Sequence, residues 1–305
     1  MIRLGSRGSA LALAQARFVA ERLGDDVELT TITTSGDRAS ARGAHSPPPE
    51  GGDKARFVKE IDEALLAGRI DLAVHSAKDV PGELPAGLAI VGVPARADPR
   101  DALCGATSLD ALAEGAVVGT ASVRRRAQLL ALRPDLQIRE LRGNVDTRLR
   151  RLAEGPFHAI VVAQAGLDRL GRGHEGNPLP ELVPAPGQGC LALEARSEDG
   201  MAAEAAAGLS EQAALAELTA ERALVTSLEA SCNTPIGAHA VFTGGALTLS
   251  AFVGLPDGSH WIRDELGGDG RDPAALGQTV GERLRAAGAH DLLAEAESMA
   301  VHASP

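Results

Sequence analysis

Short apolar, strand-like runs alternate with amphipathic helical patterns through the first two-thirds of the chain, and this order constrains the fold more than any single motif. The strand-like runs are residues 2–6, 27–34, 71–77 and 88–93, with helical patterns at 11–23 and 57–68. The alternation begins again after residue 103, with strands at 116–122, 136–143 and 158–167 and helices at 123–134 and 147–155. This order predicts parallel or mixed sheets with helices on both faces.

The last third of the chain has a different pattern. Residues 172–189 are rich in glycine and proline and are expected to cross between domains. A strand follows at 189–196 and a helix at 211–228, and residues 240–266 then alternate around Gly-Gly and Asp-Gly turns, as an antiparallel meander does. We therefore predict two α/β lobes and a smaller α+β C-terminal domain. The predicted domains are 1–95 together with 190–208, 100–185, and 211–305.

Charge and composition exclude several classes of partner. The net charge of −11 opposes binding to nucleic acid or to an anionic membrane, and aromatic residues, at 2% of the chain, offer little surface for stacking bases. No apolar run is long enough to cross a bilayer, and the first residues show no signal-peptide pattern. Three cysteines without the spacing of disulfide or metal sites favour a reducing compartment, so we expect a cytoplasmic protein that binds no metal.

Arginine and hydroxyl side chains recur where predicted strands end. These positions are Arg7, Ser9, Thr120, Ser122, Arg124, Arg125, Arg142 and Arg148. Arg124 and Arg125 lie at a helix start, where the helix dipole disfavours positive charge, so a bound anion is indicated. Open α/β sheets bind ligands at the carboxyl ends of strands, which predicts a shared cleft for a ligand with several carboxylates or phosphates. Solvated arginines or local ion pairs are the alternative, which we prefer for Arg126, Arg150 and Arg151.

A second concentration of polar side chains follows the predicted strand at 71–77. His75, Ser76, Lys78 and Asp79 stand there, just before a valine and a proline. In a cleft that contains arginines, Asp79 would stay ionised, and it could stabilise a cationic intermediate or shuttle a proton. An aspartate that caps a helix or a turn has the same local sequence, and the residues alone leave both interpretations open.

Cys232 stands in the stretch EASCNTPIGAHA, among small and polar residues, far in sequence from Cys104 and Cys190. On the residues alone, an isolated thiol of this kind is most often a small buried hydrophobic side chain. A reactive role needs support from the rest of the chain.

Nine motifs, in order along nearly the whole chain, resemble the porphobilinogen deaminase family, whose members are also called hydroxymethylbilane synthases. They are SRGSALA, FVKEID, AVHSAKDVP, DPRDAL, GTASVRRRAQL, LRGNVDTRL, AGLDRLG, PGQGCLALE and SCNTPIGAHA. Each motif is weak alone, but their order is specific. The resemblance implies two doubly wound lobes with mixed sheets, like those of periplasmic binding proteins, and a smaller α+β domain that carries Cys232.

The resemblance also implies a transferase that joins four porphobilinogen molecules head to tail, with loss of ammonia, to give the linear tetrapyrrole hydroxymethylbilane. In the family, the cysteine that matches Cys232 carries a covalent dipyrromethane cofactor. A thiol suits this role, because a soft sulfur nucleophile adds to the electrophilic methylene left when porphobilinogen loses ammonia, and a stable thioether results. The implied partner is the small-molecule substrate, and the family suggests a monomer.

The resemblance carries roles onto individual residues. Asp79 matches the family's catalytic carboxylate, and Cys104 and Cys190 match no functional cysteine, so we expect these two to be structural. The residues that match positions near the substrate or cofactor, most of them carboxylate binders, are Arg7, Ser9, Ser76, Lys78, Thr120, Ser122, Arg124, Arg125, Arg142, Arg148, Arg169 and Gln188.

Three stretches depart from the usual family pattern. The lid before FVKE, which commonly reads GGKGLF, has fewer glycines here, so Lys54 and Phe57 are weaker site candidates. Asp146 stands where glycine is common, and we expect it to pair with an arginine. Ala230 and Ser231 replace a frequent Gly-Gly before the cysteine.

A non-catalytic protein that binds a polycarboxylate anion is the second hypothesis, because solute-binding proteins also have two α/β lobes with arginines in a crevice. Such a binder needs neither Cys232 nor Asp79, and a periplasmic one would carry a signal peptide. A regulatory sensor with the same lobes would need a DNA-binding helix-turn-helix, and no such motif is found in the sequence.

Overall fold

The computed structural model describes residues 1–37, 52–198, 200–229 and 234–302, without the side chains of residues 52–56 and 300–302. The chain forms two compact units, of which the first contains residues 1–97 and 189–215 and the second contains residues 98–188 and 216–305. Within the described ranges, no helix has both the length and the apolar character needed to span a membrane.

A five-stranded mixed sheet forms the centre of the first unit. Its strands are β1 (Ile2–Arg7), β2 (Val27–Ile32), β3 (Leu72–Ser76), β4 (Leu88–Gly92) and β10 (Leu191–Arg196), in the order β2–β1–β3–β10–β4. β1 pairs in parallel with β2 and β3, whereas β10 runs antiparallel to β3 and β4. The carboxyl ends of β1 and β3 therefore lie side by side, as a parallel sheet requires.

Helices α1 (Ala10–Leu23), α2 (Gly52–Leu66) and α6 (Gly200–Ala207) pack on this sheet. Ser9 begins α1, because its Oγ accepts a hydrogen bond from the backbone N–H of Ala12 at 3.3 Å. A short 3₁₀ turn, Ala77–Asp79, follows β3 directly. The apolar core includes Leu4, Val19 and Leu72, so burial of the apolar faces of sheet and helix stabilises the layers.

The second unit contains another five-stranded mixed sheet. Its strands are β5 (Asp101–Cys104), β6 (Val117–Gly119), β7 (Gln137–Arg139), β8 (Ala159–Ala163) and β9 (Asn177–Leu179), in the order β7–β6–β8–β5–β9. β6 is parallel to β7 and β8, and β5 is antiparallel to β8 and β9. The sequence pattern predicted parallel or mixed sheets, and both sheets are mixed.

Three helices follow strands of this second sheet: α3 (Val123–Leu132), α4 (Val145–Ala153) and α5 (Gln164–Arg169). Side chains begin the first two of them. Ser122 Oγ accepts a hydrogen bond from the N–H of Arg125 at 3.4 Å, and Asn144 Oδ1 accepts one from the N–H of Thr147 at 2.9 Å. Each cap satisfies a backbone donor that has no partner inside its helix.

The predicted antiparallel meander is also present in the second unit. β11 (Ile236–Thr243), β12 (Ala246–Gly254) and β13 (Trp261–Asp269) form a three-stranded antiparallel sheet, and its helices are α7 (Gln212–Ser227), α8 (Pro273–Ala286) and α9 (Ala289–His302). Gly244 and Gly245 connect the first two strands with φ values of +60° and +88°. Two consecutive left-handed residues suit a two-residue hairpin loop, and glycine adopts them without a steric penalty.

The structure differs from the predicted pattern in several places, among them helices α6, α8 and α9, for which the sequence analysis gave no prediction. β8 ends at Ala163 and α5 begins at Gln164, although residues 158–167 read as one strand. A continuous apolar run does not distinguish a buried strand from a buried helix, so the pattern could not mark this change. The pattern also missed β5 and β9, which are only four and three residues long.

Two glycines of α8 allow it to lie close to α7. A Cβ added to Gly277 would come within 2.9 Å of the backbone nitrogen of Leu224 and closer still to the carbonyl oxygen of Ala220. A Cβ on Gly281 would meet the side chain of Ser227. Since helix backbone cannot shift as a flexible side chain can, Gly277 holds the distance between the two helices.

We expect Gly277→Ala to destabilise the protein, although alanine is favoured over glycine inside a helix by about 1 kcal/mol. Overpacking against α7 should cost about 1–3 kcal/mol, which leaves a net destabilisation of up to about 2 kcal/mol, and thermal unfolding would register it as a Tm lower by a few degrees. Gly200→Ala is the matched control, because a Cβ there meets open space. An unchanged Tm in Gly277→Ala would mean that α7 and α8 can separate without cost.

Candidate active site

A small pocket in the first unit opens at the carboxyl ends of β1 and β3. Five of the predicted residues line it, namely Arg7, Ser9, Phe57, Ser76 and Asp79, together with apolar side chains of α1, α2 and β3. Arg7 ends β1, Ser9 caps α1, Ser76 ends β3 and Asp79 closes the 3₁₀ turn. Parallel pairing of β1 with β3 brings these strand ends together, which is the position expected for a ligand site in an α/β sheet.

Arg7 is held in this pocket from two directions. Its Nη2 lies 2.6 Å from Asp37 Oδ1, and its guanidinium carbon lies 4.2 Å from the centre of the Phe57 ring. Burial alone would raise the pKa of Asp37, but hydrogen bonds from Arg7 and Thr34 and the charge of Arg7 hold it below its usual range. Asp37 was not identified in the sequence analysis. Its only signal was an acidic residue shortly after the predicted strand at 27–34.

Contacts within the first unit fix the segment that carries Asp79. Gln15 Nε2 donates a hydrogen bond to Ser76 Oγ at 3.0 Å, and the backbone N–H of Ala77 donates to the carbonyl of Cys190 at 3.1 Å. Lys78 lies in the same 3₁₀ turn and is partly exposed. Asp79 thus projects from a turn that is bound to the neighbouring strand, so its carboxylate has a defined place in the pocket.

The second unit holds a buried ion cluster at the start of α3. Arg124 Nη1 lies 2.6 Å from Asp101 Oδ2, and Arg125 Nη2 lies 2.8 Å from Asp101 Oδ1. Gln188 Nε2 donates to Asp101 Oδ1 at 2.9 Å. Complete burial would raise the pKa of Asp101, but the charges of Arg124 and Arg125 and the hydrogen bonds from Arg124 and Gln188 hold it far below its usual range.

This cluster changes the explanation for arginines at a helix start. The carboxylate nearest to Arg124 and Arg125 belongs to Asp101 of β5, and both arginines are nearly fully buried, with 4% and 5% of their surface exposed. Asp101 was not identified in the sequence analysis. Its only signal was an acidic residue directly before the apolar residues 102–104. Two guanidinium groups share one carboxylate, so the cluster keeps one excess positive charge. Binding of a ligand carboxylate by these arginines stays a prediction.

Hydroxyl groups at the predicted site already take part in local bonds. Thr120 Oγ1 accepts a hydrogen bond from the N–H of Ser122 at 3.1 Å, while the hydroxyls of Ser9 and Ser122 cap helices. A hydroxyl that accepts such a bond keeps its hydrogen, which it can donate to a ligand oxygen.

The remaining predicted arginines are less buried. Arg142 is exposed and pairs with Glu140, Arg148 Nε donates to the carbonyl of Gly143 at 2.8 Å, and Arg169 lies half-buried in the last turn of α5. Asp146 does pair with an arginine, as expected from the sequence. Its partner is Arg172, at 3.0 Å, outside the predicted set.

Three cysteines and one lysine complete the set of predicted positions. Cys104 and Cys190 are buried, and burial raises the pKa of the Cys104 thiol to about 11, which keeps it protonated and unreactive. Cys232 and the side chain of Lys54 lie outside the described residues.

Among solved structures, similarity extends to a periplasmic His/Glu/Gln/Arg/opine family-binding protein from Silicibacter pomeroyi in complex with lysine. The TM-score is 0.36 and the sequence identity is 16%, over 68% of this chain and 88% of that chain.

Sequence comparisons point to one family along the chain. A curated protein of Deinococcus radiodurans named porphobilinogen deaminase is 46% identical over 303 residues, which cover 96% of this chain and 97% of that protein. A protein of Thermus thermophilus with the same name is 47% identical over 306 residues, which cover 97% and 99% of the two chains.

Family models match the two parts of the sequence separately. Residues 2–204 match the model described as "Porphobilinogen deaminase, dipyromethane cofactor binding domain", and residues 215–286 match "Porphobilinogen deaminase, C-terminal domain". With matches of this extent and relatives of this identity, the chain belongs to the porphobilinogen deaminase family.

Proposed function

We propose that the protein is a hydroxymethylbilane synthase, a transferase that condenses four porphobilinogen molecules head to tail and releases ammonia at each step. The product is the linear tetrapyrrole hydroxymethylbilane. The observation that carries the proposal is the pocket of the first unit, where the carboxylate of Asp79 shares one wall with Arg7 and two hydroxyl groups. We further propose a monomer located in the cytoplasm.

The pocket side chains match the functional groups of the substrate. Each porphobilinogen carries an acetate and a propionate, which suit charge-assisted hydrogen bonds from Arg7 and hydrogen bonds from Ser9 and Ser76. When ammonia leaves, positive charge develops on the methylene and spreads into the pyrrole ring. A fixed carboxylate beside the ring stabilises that charge and can accept the pyrrole N–H, which is the role proposed for Asp79.

The same side chains fit the dipyrromethane group that the family's domain binds. Its carboxylates suit guanidinium and hydroxyl donors, and its pyrrole N–H groups suit Asp79. Bound through Cys232, the group supplies the pyrrole carbon to which the first substrate unit is joined. Arg7 is already oriented by Asp37 and Phe57, so little side-chain entropy remains to be lost when a ligand carboxylate arrives.

The second unit supplies the other proposed carboxylate binders. Every condensation adds two carboxylates, so the growing chain becomes a polyanion, while the protein as a whole carries a net charge of −11. Attraction must therefore come from local positive groups. Arg142, Arg148 and Arg169 supply it at exposed or half-buried positions, and the buried cluster of Arg124, Arg125 and Asp101 adds its excess positive charge.

The first prediction concerns Asp79. Asp79→Asn keeps the shape of the side chain but removes its charge, so kcat should fall by at least about a hundredfold. KM should change much less, because charge develops mainly in the transition state, and Tm should stay near that of the unmodified protein. Steady-state kinetics with porphobilinogen measure both constants.

Two further variants sharpen this test. Asp79→Glu should retain some activity, since the charge remains at a shifted position, and Glu83→Gln, which alters an exposed carboxylate nearby, should have normal kinetics. Near-normal turnover in Asp79→Asn would mean that another group, not Asp79, stabilises the developing charge. Failure of that variant to fold would make Asp79 a structural cap.

The second prediction concerns Cys232 and the cofactor. The intact mass of the purified protein should exceed that of the chain by two porphobilinogen units less two ammonias, and this excess should be absent from Cys232→Ser, because an alkoxide forms far less readily than a thiolate. Cys190→Ala, at a buried thiol, is the control and should keep the added mass. A fully active protein without added mass would contradict the covalent primer, and an unmodified, inactive protein would favour the non-catalytic anion binder.

The third prediction separates two kinds of arginine. Arg142→Leu should slow elongation and leave Tm unchanged, since the side chain is exposed, whereas Arg150→Leu on an exposed face should alter neither. Arg124→Leu should instead lower the free energy of unfolding by about 1–3 kcal/mol, because Asp101 and the carbonyl of Val183 lose a buried hydrogen-bond donor. Single-turnover mass spectrometry and thermal unfolding measure the two effects, and equal stability of all three variants would contradict the structural role of Arg124.

A further inference from the structure

Three buried ionisable side chains lie behind the pocket of the first unit. They are Asp62 of α2, His75 of β3 and Glu194 of β10, with 8%, 5% and 1% of their surface exposed. One ligating atom from each lies within 4.8 Å of the others, and His75 Nε2 lies 3.0 Å from Glu194 Oε2. Three different elements thus direct acidic or basic groups to one point in the interior.

Polar atoms of these three side chains lack hydrogen-bond partners. Asp62 Oδ1, His75 Nε2 and Glu194 Oε1 are buried without an aligned hydrogen-bond partner. Among the arginine and lysine side chains that the structure describes, none pairs with any of the three, and Arg196 of β10 contacts Asp71 and backbone carbonyls. Two neighbouring carboxylates beside a neutral imidazole would be very costly in an apolar interior, so a proton or a cation must be taken up.

We propose that Asp62 and Glu194 hold one proton between them, with the Nε2–H of His75 directed at Glu194, as a buried proton-sharing cluster that positions the end of β3. The carboxyl O–H of Asp62 then donates to Glu194 Oε1, and the imidazole N–H donates to Glu194 Oε2. Each of the three unpartnered atoms gains a partner in this arrangement, and the cluster carries one negative charge in place of two.

A bound metal ion is the competing way to neutralise the cluster. In the described part of the chain, three ligating groups converge here. A zinc ion with three protein ligands also needs a water molecule, and magnesium or calcium takes six or more oxygens, in a place where the three side chains are buried. A proton needs no further ligand. The donor count therefore favours the proton over the cation.

The cluster adjoins the proposed catalytic pocket through His75. His75 and Ser76 are consecutive residues of β3, and both line the pocket that contains Asp79. Bonds from Asp62 and Glu194 would fix the imidazole, and with it the strand end from which the 3₁₀ turn of Asp79 begins. Asp62 and Glu194 are thus positioning residues; this link to catalysis rests on the proposed function, whereas the shared proton does not.

The surroundings of Asp62 set the pH range over which the proton is lost. Burial, then the charge of Glu194, and more weakly that of Glu63 raise the pKa of Asp62 to about 7, while His75 opposes the rise. Glu63 of α2, His75 of β3 and Glu194 of β10 are the titratable groups that act on it. The folded state keeps a proton that the unfolded chain releases above about pH 4, so this group's contribution to stability falls as pH rises from about 4 to 7.

The test is the pH dependence of thermal unfolding in Asp62→Asn. The amide donates to Glu194 as the protonated carboxyl does, but it does not titrate. We expect similar Tm values at pH 4, and a variant that melts about 3–8 °C above the unmodified protein at pH 8. Glu63→Gln removes only a weaker contribution to the pKa of Asp62, so its profile should keep the fall in Tm and shift only slightly along the pH axis.

Parallel profiles for the unmodified protein and Asp62→Asn between pH 4 and pH 8 would overturn the proposal. If that variant fails to fold, Glu194→Gln serves instead: it removes the second cause of the raised pKa and leaves burial, so the fall in Tm with pH should be smaller and end at a lower pH than in the unmodified protein. A Tm raised by zinc or manganese ions and lowered again by a chelator would also overturn it, in favour of a cation site. Steady-state kinetics with porphobilinogen test the positioning role. A flattened stability profile together with a lower kcat and an unchanged KM in the variant supports that role, whereas unchanged kinetics in a folded variant contradicts it.

Discussion

One fully buried carboxylate, that of Asp101, holds the second unit together. Its oxygens bind the guanidinium groups of Arg124 and Arg125 and the amide of Gln188. The same two arginines donate onward to the carbonyls of Val183 and Val161, at 2.7 and 2.9 Å. Strands β5 and β8, helix α3 and the proline-rich segment are thereby fixed by one charge cluster, and loss of the Asp101 carboxylate would leave two guanidinium groups unpaired in the interior.

The two units carry buried charge imbalances of opposite sign. Two guanidinium groups face one carboxylate around Asp101, while two carboxylates face one imidazole around His75. A proton can correct the second imbalance, because a carboxyl group accepts one when burial is sufficient. It cannot correct the first, because guanidinium stays charged in proteins. The excess positive charge of this cluster is therefore permanent.

Local patterns predicted much of this architecture and less of its chemistry. Alternation of strands and helices indicated the parallel cores of both sheets, and glycine pairs marked the meander, because each of these signals acts within a few residues. The reversed strands β5, β9 and β10 depend on pairing between distant segments, which a local pattern does not contain. Arg7, Ser76 and Asp79 could be predicted as site candidates because they follow strands whose carboxyl ends a parallel sheet brings together.

Distant partners account for what was missed at the site. Arg124 at a helix start indicated an anion, but the carboxylate that meets it stands 23 residues away on another strand. Asp62 did leave a signal, since it falls on the apolar face of its helix, four residues after Val58 and three before Leu65. Glu194 similarly interrupts the buried run of β10. A charged residue at a core position is the pattern that finds such clusters before a structure is known.

Helix caps have a consequence for how the site responds to acid and base. Ser9, Ser122 and Asn144 begin three helices with the same bond to a backbone N–H three residues on, and these helices follow strands of the two sheets. Their amino ends contribute partial positive charge that comes from peptide dipoles, and peptide dipoles do not titrate. Arginine does not titrate in this range either. The attraction of these helix ends for an anion is therefore constant across the pH range in which the protein stays folded, and a pH dependence of the proposed ligand binding must come from the ligand or from ionisable side chains beside it.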